Sequence, residues 1–289
     1  MCDLKISGND DSVSERNTES VRTRSYFLSA GEVNAEGEMS LTLLCSKLID
    51  IATAHANALG IGNPVMADSG LGWVLSRLTV ELDETPRVNT TYAISTWVES
   101  WNRHFSERAF KIFDPDTGRV YGYSRSIWLV LNMTTRENAG LSHLTLPAEA
   151  VAGVSALIDR QSKHTVIVAP GEEMSPRQLR ADKEPVVHSF KYCDVDFYRH
   201  VNTVRYVALL LNQYSLDYHD EFRVRRMELS FLHEAVCGEP LELLTHHSAT
   251  EEDGDTAVDK DSEVLDTFYM RVVATAAPIL YARLRFSRR

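Results

Sequence analysis

The sequence lacks the patterns that identify several large classes of protein. Its 289 residues contain no run approaching the roughly 20 apolar residues that a membrane-spanning helix needs, so we expect no integral membrane segment. The glycine patterns GxGxxG and GxxxxGK(S/T), which hold nucleotide phosphates, are absent, and so is the GxSxG turn of serine hydrolases. Nucleotide binding and serine-hydrolase chemistry therefore have no motif support.

Cysteine is also scarce. Cys2, Cys45, Cys193 and Cys237 are the only four, and no two of them form a CxxC pair, so neither a zinc site nor a dithiol redox motif is indicated. Four reduced thiols are typical of a cytosolic protein. Residues 1–20 have no apolar core for a secretory signal, and their five acidic residues are unlike an organelle transit peptide. We therefore expect a cytoplasmic protein.

Negative charge is abundant but unevenly placed. Of the net charge of −11, residues 1–20 carry −3 and residues 250–266 carry −7, which leaves the rest of the chain near neutrality. Both stretches lack apolar periodicity, so we expect a disordered acidic tail at 1–20 and a solvated loop at 250–266. Local basic clusters remain elsewhere, and nothing resembles a nucleic-acid footprint.

The first half of the chain predicts one helix followed by long strands. Apolar side chains recur at helical spacing over 41–55, with Ser40 as the N-cap and Gly60 as the stop. After a loop rich in Gly, Pro and Asp, the alternating run RLTVELDETP at 77–86 opens a series of strand-like segments. The sequence DPDTG at 114–118 predicts a hairpin turn between two of them.

The second half repeats this order. Asn202 can cap a helix, expected over 201–214, whose apolar face includes Val207 and Leu210. The run RMELSFLHEA at 226–235 then matches RLTVELDETP position by position, and further strand-like runs follow. A duplicated unit usually persists because its two copies pack together as a dimer does. On the pattern alone, the alternative that any two halves of this class look alike stays open.

These patterns predict an α+β fold of two tandem units, each an antiparallel sheet wrapped around a central helix. We expect the N-terminal unit at 21–140 and the C-terminal unit at 187–289. Residues 141–186, which contain several prolines, are interpreted as a partly helical connector.

The densest polar cluster is CDVDFYRHVN at 193–202, directly before the second helix. His200 can act as a base near neutral pH, a nearby carboxylate can orient its ring, and the helix N-terminus can stabilise an oxyanion. Taken alone, such residues are also typical of ordinary loop and capping positions. His233 and Glu234, at the end of an alternating strand, form a second candidate, although a solvent-facing strand end would look the same.

Other chemistry at these residues has less support. Asp194 and Asp196 could hold Mg²⁺, but no phosphate-cradling glycines or further clustered acids accompany them. Cys193 could be a nucleophile seven residues before His200, but a lone cysteine beside a strand is usually part of the core.

Two motifs in the right order resemble the acyl-ACP (acyl carrier protein) thioesterases, a plant-type and bacterial family of two tandem hotdog domains. The family motif D-x-D-x-N-x-H-V-N-x-x-x-Y matches DVDFYRHVNTVRY at 194–206, and its strand L-x-L-x-Y-x-x-E-C matches MELSFLHEA at 227–235. The first half also fits, with AHA at 54–56 and WVLSRLTVELDETP at 73–86. The resemblance extends over residues 21–289.

The resemblance implies that the C-terminal hotdog carries catalysis and that the N-terminal one shapes the acyl pocket. The family's catalytic Asp, His and Glu fall on Asp196, His200 and Glu234. The departures from the family include Tyr198 in place of the motif asparagine and Ala235 in place of the cysteine. Covalent catalysis through position 235 is thereby excluded, and attack by water remains open.

The internal repeat predicts one active site per chain. Aligning the two helix starts pairs Ser40 with Asn202, Glu38 with His200 and Asn34 with Asp196. The first half therefore lacks the histidine.

We expect a thioester hydrolase that acts on fatty acyl groups carried by acyl carrier protein, with no metal or organic cofactor. In this interpretation His200 and Glu234 activate water and Asp196 orients the site. Tyr198 either contacts the thioester carbonyl or lines the entrance.

Substrate binding is expected at the start of the second helix and on a basic surface. Backbone N–H groups beside Val201 and Asn202 would stabilise the oxyanion. Because the carrier protein is acidic, its docking surface should be basic. The candidates form two clusters, Arg223, Arg225 and Arg226, and Arg283, Arg285, Arg288 and Arg289.

Two alternatives stay open. The substrate could be an acyl-CoA thioester, since only the resemblance favours the carrier protein. The protein could also be a non-catalytic acyl-binding module, if Tyr198 has replaced an essential amide. A homodimer of two chains is open as well.

Overall fold

The structure is a computed structural model that describes residues 16–17, 20–161, 166–169, 172–175, 184–249 and 264–289. Most of the expected acidic tail at 1–20 and of the expected acidic loop at 250–266 lies outside the described residues. The tail differs from expectation at β1 (Arg16–Asn17), which pairs with the next strand. Within the described part of the chain, no helix has the length and apolar character needed to cross a membrane.

The secondary structure follows the same order in both halves. The first half contains β2 (Val21–Phe27), α1 (Leu41–Ala58), α2 (Asn63–Ala67), β3 (Leu71–Leu82), β4 (Thr91–Trp101), β5 (Ser106–Phe113) and β6 (Val120–Asn132). Between the halves lie β7 (Val166–Ala169) and β8 (Glu172–Met174). The second half contains β9 (Val186–His188), α3 (Thr203–Leu211), α4 (Leu216–Glu221), β10 (Phe222–Phe231), β11 (Leu241–Ala249), β12 (Val264–Val272) and β13 (Pro278–Arg288).

Both central helices begin at the predicted caps. The Ser40 hydroxyl accepts a backbone N–H of the first turn at 3.3 Å, and the Asn202 side chain accepts one at 3.1 Å. After α1 the chain turns at Gly60, whose φ of 71° is favourable for a residue without a Cβ. The second helix is shorter than the expected span of 201–214, since it begins at Thr203 and ends at Leu211.

The strands form one 11-stranded antiparallel sheet in the order β1-β2-β4-β5-β6-β3-β10-β13-β12-β11-β9. β3 and β10, the strands with matching sequences, lie side by side at its centre and join the two halves. In this pairing Val80 lies opposite Met227, and Leu78 lies opposite Leu229. The two units therefore share one continuous sheet.

Both helices pack on one face of this sheet and close a common core. α1 buries Leu44, Leu48 and Ile51, and α3 buries Val207 and Leu210. These side chains form one apolar cluster with the inward-facing residues of β3 and β10. Burial of this apolar surface holds each helix against its sheet. The predicted α+β arrangement of one central helix and one antiparallel sheet in each half is confirmed.

Three segments differ from the sequence-based expectation. The loop after α1 contains α2, because Pro64 in its first turn has the backbone angle of a helix start. The segment before β10, where no helix was expected, contains α4, which Ser215 caps by accepting a backbone N–H at 3.2 Å. The connector, expected to be partly helical, contains a short 3₁₀ turn at Ala148–Ala150 and the hairpin of β7 and β8.

The opposite face of the sheet is covered by residues 151–161 and held by buried charges. The Arg125 guanidinium donates to both oxygens of Glu99 at 2.9 Å and to a connector carbonyl at 3.1 Å. Arg226 donates to Glu228 at 2.9 Å and to another connector carbonyl at 2.9 Å. The connector thus satisfies cations that the sheet buries, and their burial would be costly without these partners.

Replacing Glu99 with glutamine tests this network. Because Glu99→Gln leaves the buried Arg125 without its anion, we expect the free energy of unfolding to fall by about 3 kcal/mol. Glu84→Gln is the matched control, since its partner Arg119 is exposed and such pairs contribute less than about 1 kcal/mol. Urea denaturation measures both variants, and equal losses would contradict the role assigned to Glu99.

Candidate active site

The loop before α3 is tied together by the side chain of Asp196. One of its carboxylate oxygens accepts the backbone N–H groups of Tyr198 at 2.9 Å and of His200 at 3.2 Å. The Asp196 N–H in turn donates to the His200 carbonyl at 2.8 Å, and Arg199 takes a φ of 67° in the turn between them. Asp196 therefore positions His200 through the backbone.

A second loop, after β10, carries Glu234 to the same place. The N–H of Val201 donates to the Ala235 carbonyl at 3.0 Å, which lays the two loops side by side. His200 Nδ1 lies 3.4 Å from one Glu234 oxygen as a result. The structure thus brings together three of the side chains that the sequence singled out: Asp196, His200 and Glu234.

The N-terminal half adds a residue that the sequence did not single out. Arg136 lies in the loop after β6, and its Nη2 forms an ion pair with the second oxygen of Glu234. A motif confined to one half could not reveal this pair, because the two residues belong to different halves. Only the strand order, in which β3 separates β6 from β10, makes them neighbours.

The surroundings of His200 favour its neutral form. Its side chain is 25% exposed, and this partial burial lowers the pKa of the imidazole below its ordinary value of 6.5. The positive charge of Arg136 lowers the pKa further, while Asp196 opposes the shift. At neutral pH the ring is therefore able to accept a proton.

The other expected site residues hold the start of α3 or line its edge. Val201 is buried, and the Asn202 side chain caps the helix. The N–H groups of Val201 and Asn202 donate to backbone carbonyls, which excludes both as oxyanion donors. Thr203 has the first α3 N–H without an acceptor among the residues that the structure describes. The half-buried Tyr198 ring lies against exposed Phe197, with 3.9 Å between the ring centroids.

The arginines expected to dock a carrier protein lie elsewhere. Arg223 and Arg225 are near the start of β10. At the rise of about 3.3 Å per residue in a strand, they lie roughly 30 Å from Glu234. Arg226 is buried and bonded to two glutamates, so it belongs to the network on the outer face of the sheet. In the C-terminal cluster, Arg285 and Arg288 are exposed, Arg283 lies over the Tyr281 ring, and Arg289 pairs with Glu38.

The magnesium and cysteine alternatives gain no support from this geometry. One Asp194 oxygen accepts the Lys191 N–H at 2.8 Å and the other faces Arg205 at 3.6 Å, so the loop itself uses this carboxylate. No group of three potential metal ligands occurs in the described ranges. Cys193 is exposed, so the expectation that it is part of the core is wrong.

A pocket lies in the N-terminal half, between α1 and the sheet. Trp73, Trp101 and Trp128 contribute to its wall, and its empty volume is about 440 Å³, part of it open to solvent. Arg108 also lines it, and Nη1 of this buried side chain lies 2.8 Å from Nδ1 of His55. Burial lowers the pKa of Arg108 to about 10. The pocket is therefore lined by three indoles and small apolar residues, together with the polar side chains of Thr53, Asn63, Ser106 and Arg108.

Comparison with known proteins finds two family models that match different parts of the chain. Residues 19–143 match the model of the acyl-ACP thioesterase N-terminal domain, and residues 179–272 match that of the C-terminal domain. An acyl-ACP thioesterase from Bacteroides thetaiotaomicron has a TM-score of 0.75 and 25% identity, covering 92% of this chain and 98% of that one. The 12:0-ACP thioesterase from Umbellularia californica has a TM-score of 0.70 and 19% identity, covering 93% and 94%.

A plant relative, the chloroplastic palmitoyl-acyl carrier protein thioesterase of Gossypium hirsutum, is 22% identical over 236 residues. The alignment covers 78% of this chain and 54% of the relative, so the chain spans about half of that protein's length. The two domain models together match most of the sequence, and the solved structures share its fold along more than nine-tenths of the chain. The chain therefore belongs to the acyl-ACP thioesterase family and consists of two tandem hotdog domains.

Proposed function

We propose that this protein hydrolyses the thioester of fatty acyl-acyl carrier protein and releases the free fatty acid. The observation that carries the proposal is the contact between His200 Nδ1 and Glu234 beside the start of α3. A histidine oriented by a carboxylate is suited to act as a general base. The palmitoyl-ACP and 12:0-ACP thioesterases among its relatives support an acyl-ACP substrate.

The proposed reaction needs only side chains, backbone and water. Glu234 accepts the Nδ1 proton of His200, which leaves Nε2 to take a proton from a water molecule. The water oxygen bonds to the thioester carbon, and the oxyanion faces the positive end of α3 near the Thr203 N–H. When this intermediate collapses, the C–S bond breaks and the imidazolium gives its proton to the departing thiolate. Tyr198 lines the entrance.

The acyl chain is proposed to occupy the pocket of the N-terminal half. The pocket walls include Trp73 on β3 and Trp128 on β6. The loop after β6 carries Arg136, which contacts Glu234, so this half reaches the catalytic side chains directly. An apolar wall of aromatic rings suits a fatty acyl chain.

Exposed cations close to His200 are the proposed contacts for the acidic carrier protein. Lys191 and Arg199 lie exposed in the same loop, and the Arg205 side chain, 45% exposed, follows in the first turn of α3. Complementary charge favours encounter with an acidic partner. These residues replace the arginines at the far end of β10 in the proposal. The cytoplasmic location and the pairing of two chains stay predictions.

Release of free thiol from acyl carrier protein thioesters with C8 to C18 chains tests the proposal. We expect His200→Ala to lower kcat/KM by roughly 10²- to 10⁴-fold, because the general base is lost. His104→Ala, at an exposed histidine in a loop of the other half, should behave as wild type. Most of the wild-type kcat/KM surviving in His200→Ala would refute the mechanism.

The same panel decides between the alternatives. Matched acyl-CoA thioesters, if hydrolysed with a higher kcat/KM, would replace the carrier protein as substrate. Tight binding without release would favour the acyl-binding module. Activity gained by Tyr198→Asn from a zero baseline would then assign the lost catalysis to the tyrosine.

The pH dependence follows from the state of His200. The base must be neutral to accept a proton, so kcat/KM should rise with pH and level off once the imidazole has lost its proton. Because partial burial and Arg136 both lower the His200 pKa, we expect the inflection below pH 6.5. A pH profile of the wild type measures it, and an inflection above 6.5 would contradict the assigned surroundings.

Chain-length preference tests the pocket. Trp101→Ala removes an indole from the wall, so we expect the chain-length optimum to move towards longer acyl groups. Trp97→Ala is the matched control, because Trp97 donates to the Val154 carbonyl on the connector side of the sheet and does not line the pocket. The same shift in both variants would show that the pocket does not set the preference.

A further inference from the structure

The carboxylate of Glu234 is shared between the two halves. One oxygen faces His200 Nδ1 at 3.4 Å, and the other is paired with Arg136 from the N-terminal half. Glu234 lies in a loop and its side chain is 32% exposed, so the loop alone does not restrict the carboxylate to one orientation. The guanidinium restricts it, because a carboxylate bound at one oxygen keeps the other directed towards the imidazole.

Arg136 is itself held in a defined turn. The Asn132 side chain accepts the N–H groups of Thr134 at 2.9 Å and Thr135 at 3.0 Å. The Arg136 N–H donates to the Asn132 carbonyl at 2.8 Å, and its φ of 62° is uncommon for a residue other than glycine. A left-handed backbone persists where neighbouring contacts over-determine it. The arginine is thus presented by a built turn rather than by a free loop.

A second ion pair joins the two halves in the opposite direction, from the C-terminal half to the N-terminal half. Arg289 follows β13, the last strand of its half, and pairs with Glu38 at 2.7 Å. Glu38 occupies the loop position that corresponds to His200, since Asn34 bonds its backbone as Asp196 bonds that of His200. Each half therefore contributes an arginine that follows its final strand to an ion pair with the other half, at the loop after β10 in one case and at the loop before α1 in the other.

We propose that Arg136 is a positioning residue of the catalytic site, supplied by the N-terminal half, which orients Glu234 towards His200 and keeps the imidazole neutral by its charge. This inference rests on the proposed function for its kinetic consequences. The effect of the Arg136 charge on the protonation of His200 is a property of the folded protein and can be measured without any catalytic turnover.

The charges around the imidazole fix the sign of the effect. Glu234 from the loop after β10 and Asp196 from the His200 loop both favour the protonated ring, whereas Arg136 from the loop after β6 opposes protonation. Removing the guanidinium leaves only the partial burial of the ring to oppose the two carboxylates. The titration of His200 should therefore move to higher pH, and the acidic limb of kcat/KM should move with it.

The experiment compares Arg136→Gln and Arg136→Lys with the wild type. Arg103→Gln is the matched control, because it makes the same chemical change at an exposed arginine of the same half outside the Glu234 pair. In Arg136→Gln we expect kcat to fall roughly 10- to 100-fold with KM little changed, because Glu234 loses its orientation. Arg136→Lys should recover most of kcat, and Arg103→Gln should match the wild type.

Titration of the His200 ring by NMR, without substrate, is the second readout. A shift of the His200 titration to higher pH in Arg136→Gln, absent in Arg103→Gln, supports the inference. It does so even if the protein hydrolyses no thioester, because the absence of hydrolysis would count only against the proposed function. An unchanged titration together with a kcat within about twofold of the wild type would overturn it.

A double-mutant cycle covers the case in which Arg136→Gln folds poorly. Thermal unfolding identifies such a variant, and Glu234→Gln then provides a background in which the ion pair is already broken. If Arg136 acts through Glu234, Arg136→Met, which keeps the aliphatic stem but lacks the charge, should lower kcat in the wild type but hardly in Glu234→Gln. Equal effects in both backgrounds would refute the coupling.

Discussion

Backbone hydrogen bonds between β3 and β10 join two sheets that would each otherwise end in an open edge. The two strands have matching sequences, so both direct apolar side chains to the same face, where the helices pack. β6 and β10 both run antiparallel to β3, so the loops that follow them leave the sheet at the same end. The loops that follow them carry Arg136 and Glu234. The site thus depends on a strand pairing in which none of its side chains takes part.

The chain builds the loop before its central helix twice with the same hydrogen bonds. Asn34 in the first half and Asp196 in the second each accept a backbone N–H four residues later, at 2.8 and 3.2 Å. Each copy then bonds to the loop that follows the central strand of its own half. Because the backbone is set by these bonds, the side chain at the end of the loop is free to differ. It is His200 in one copy and Glu38 in the other.

Local features were predictable from the sequence, and features that depend on strand order were not. The caps at Ser40 and Asn202 follow from residue type and spacing, and His200 and Glu234 lie in two motifs of one half. Arg136 could not be found this way, because its partner belongs to the other half. The expectation that Arg226 belongs to a basic docking surface was wrong for a related reason. Alternation shows that it points away from the core, but not that residues 151–161 cover that face.

The ion pairs of Glu38 with Arg87 and Arg289 have a consequence for how such a chain can change over time. In a dimer of identical subunits, a codon change that replaces the loop histidine removes it from both loops at once. No histidine is then left to act as a general base. A single gene that encodes both copies assigns each loop its own codon. One loop can then carry Glu38, which binds the other half through an ion pair, while the second loop keeps His200. An exact twofold axis forbids such a difference between the two copies.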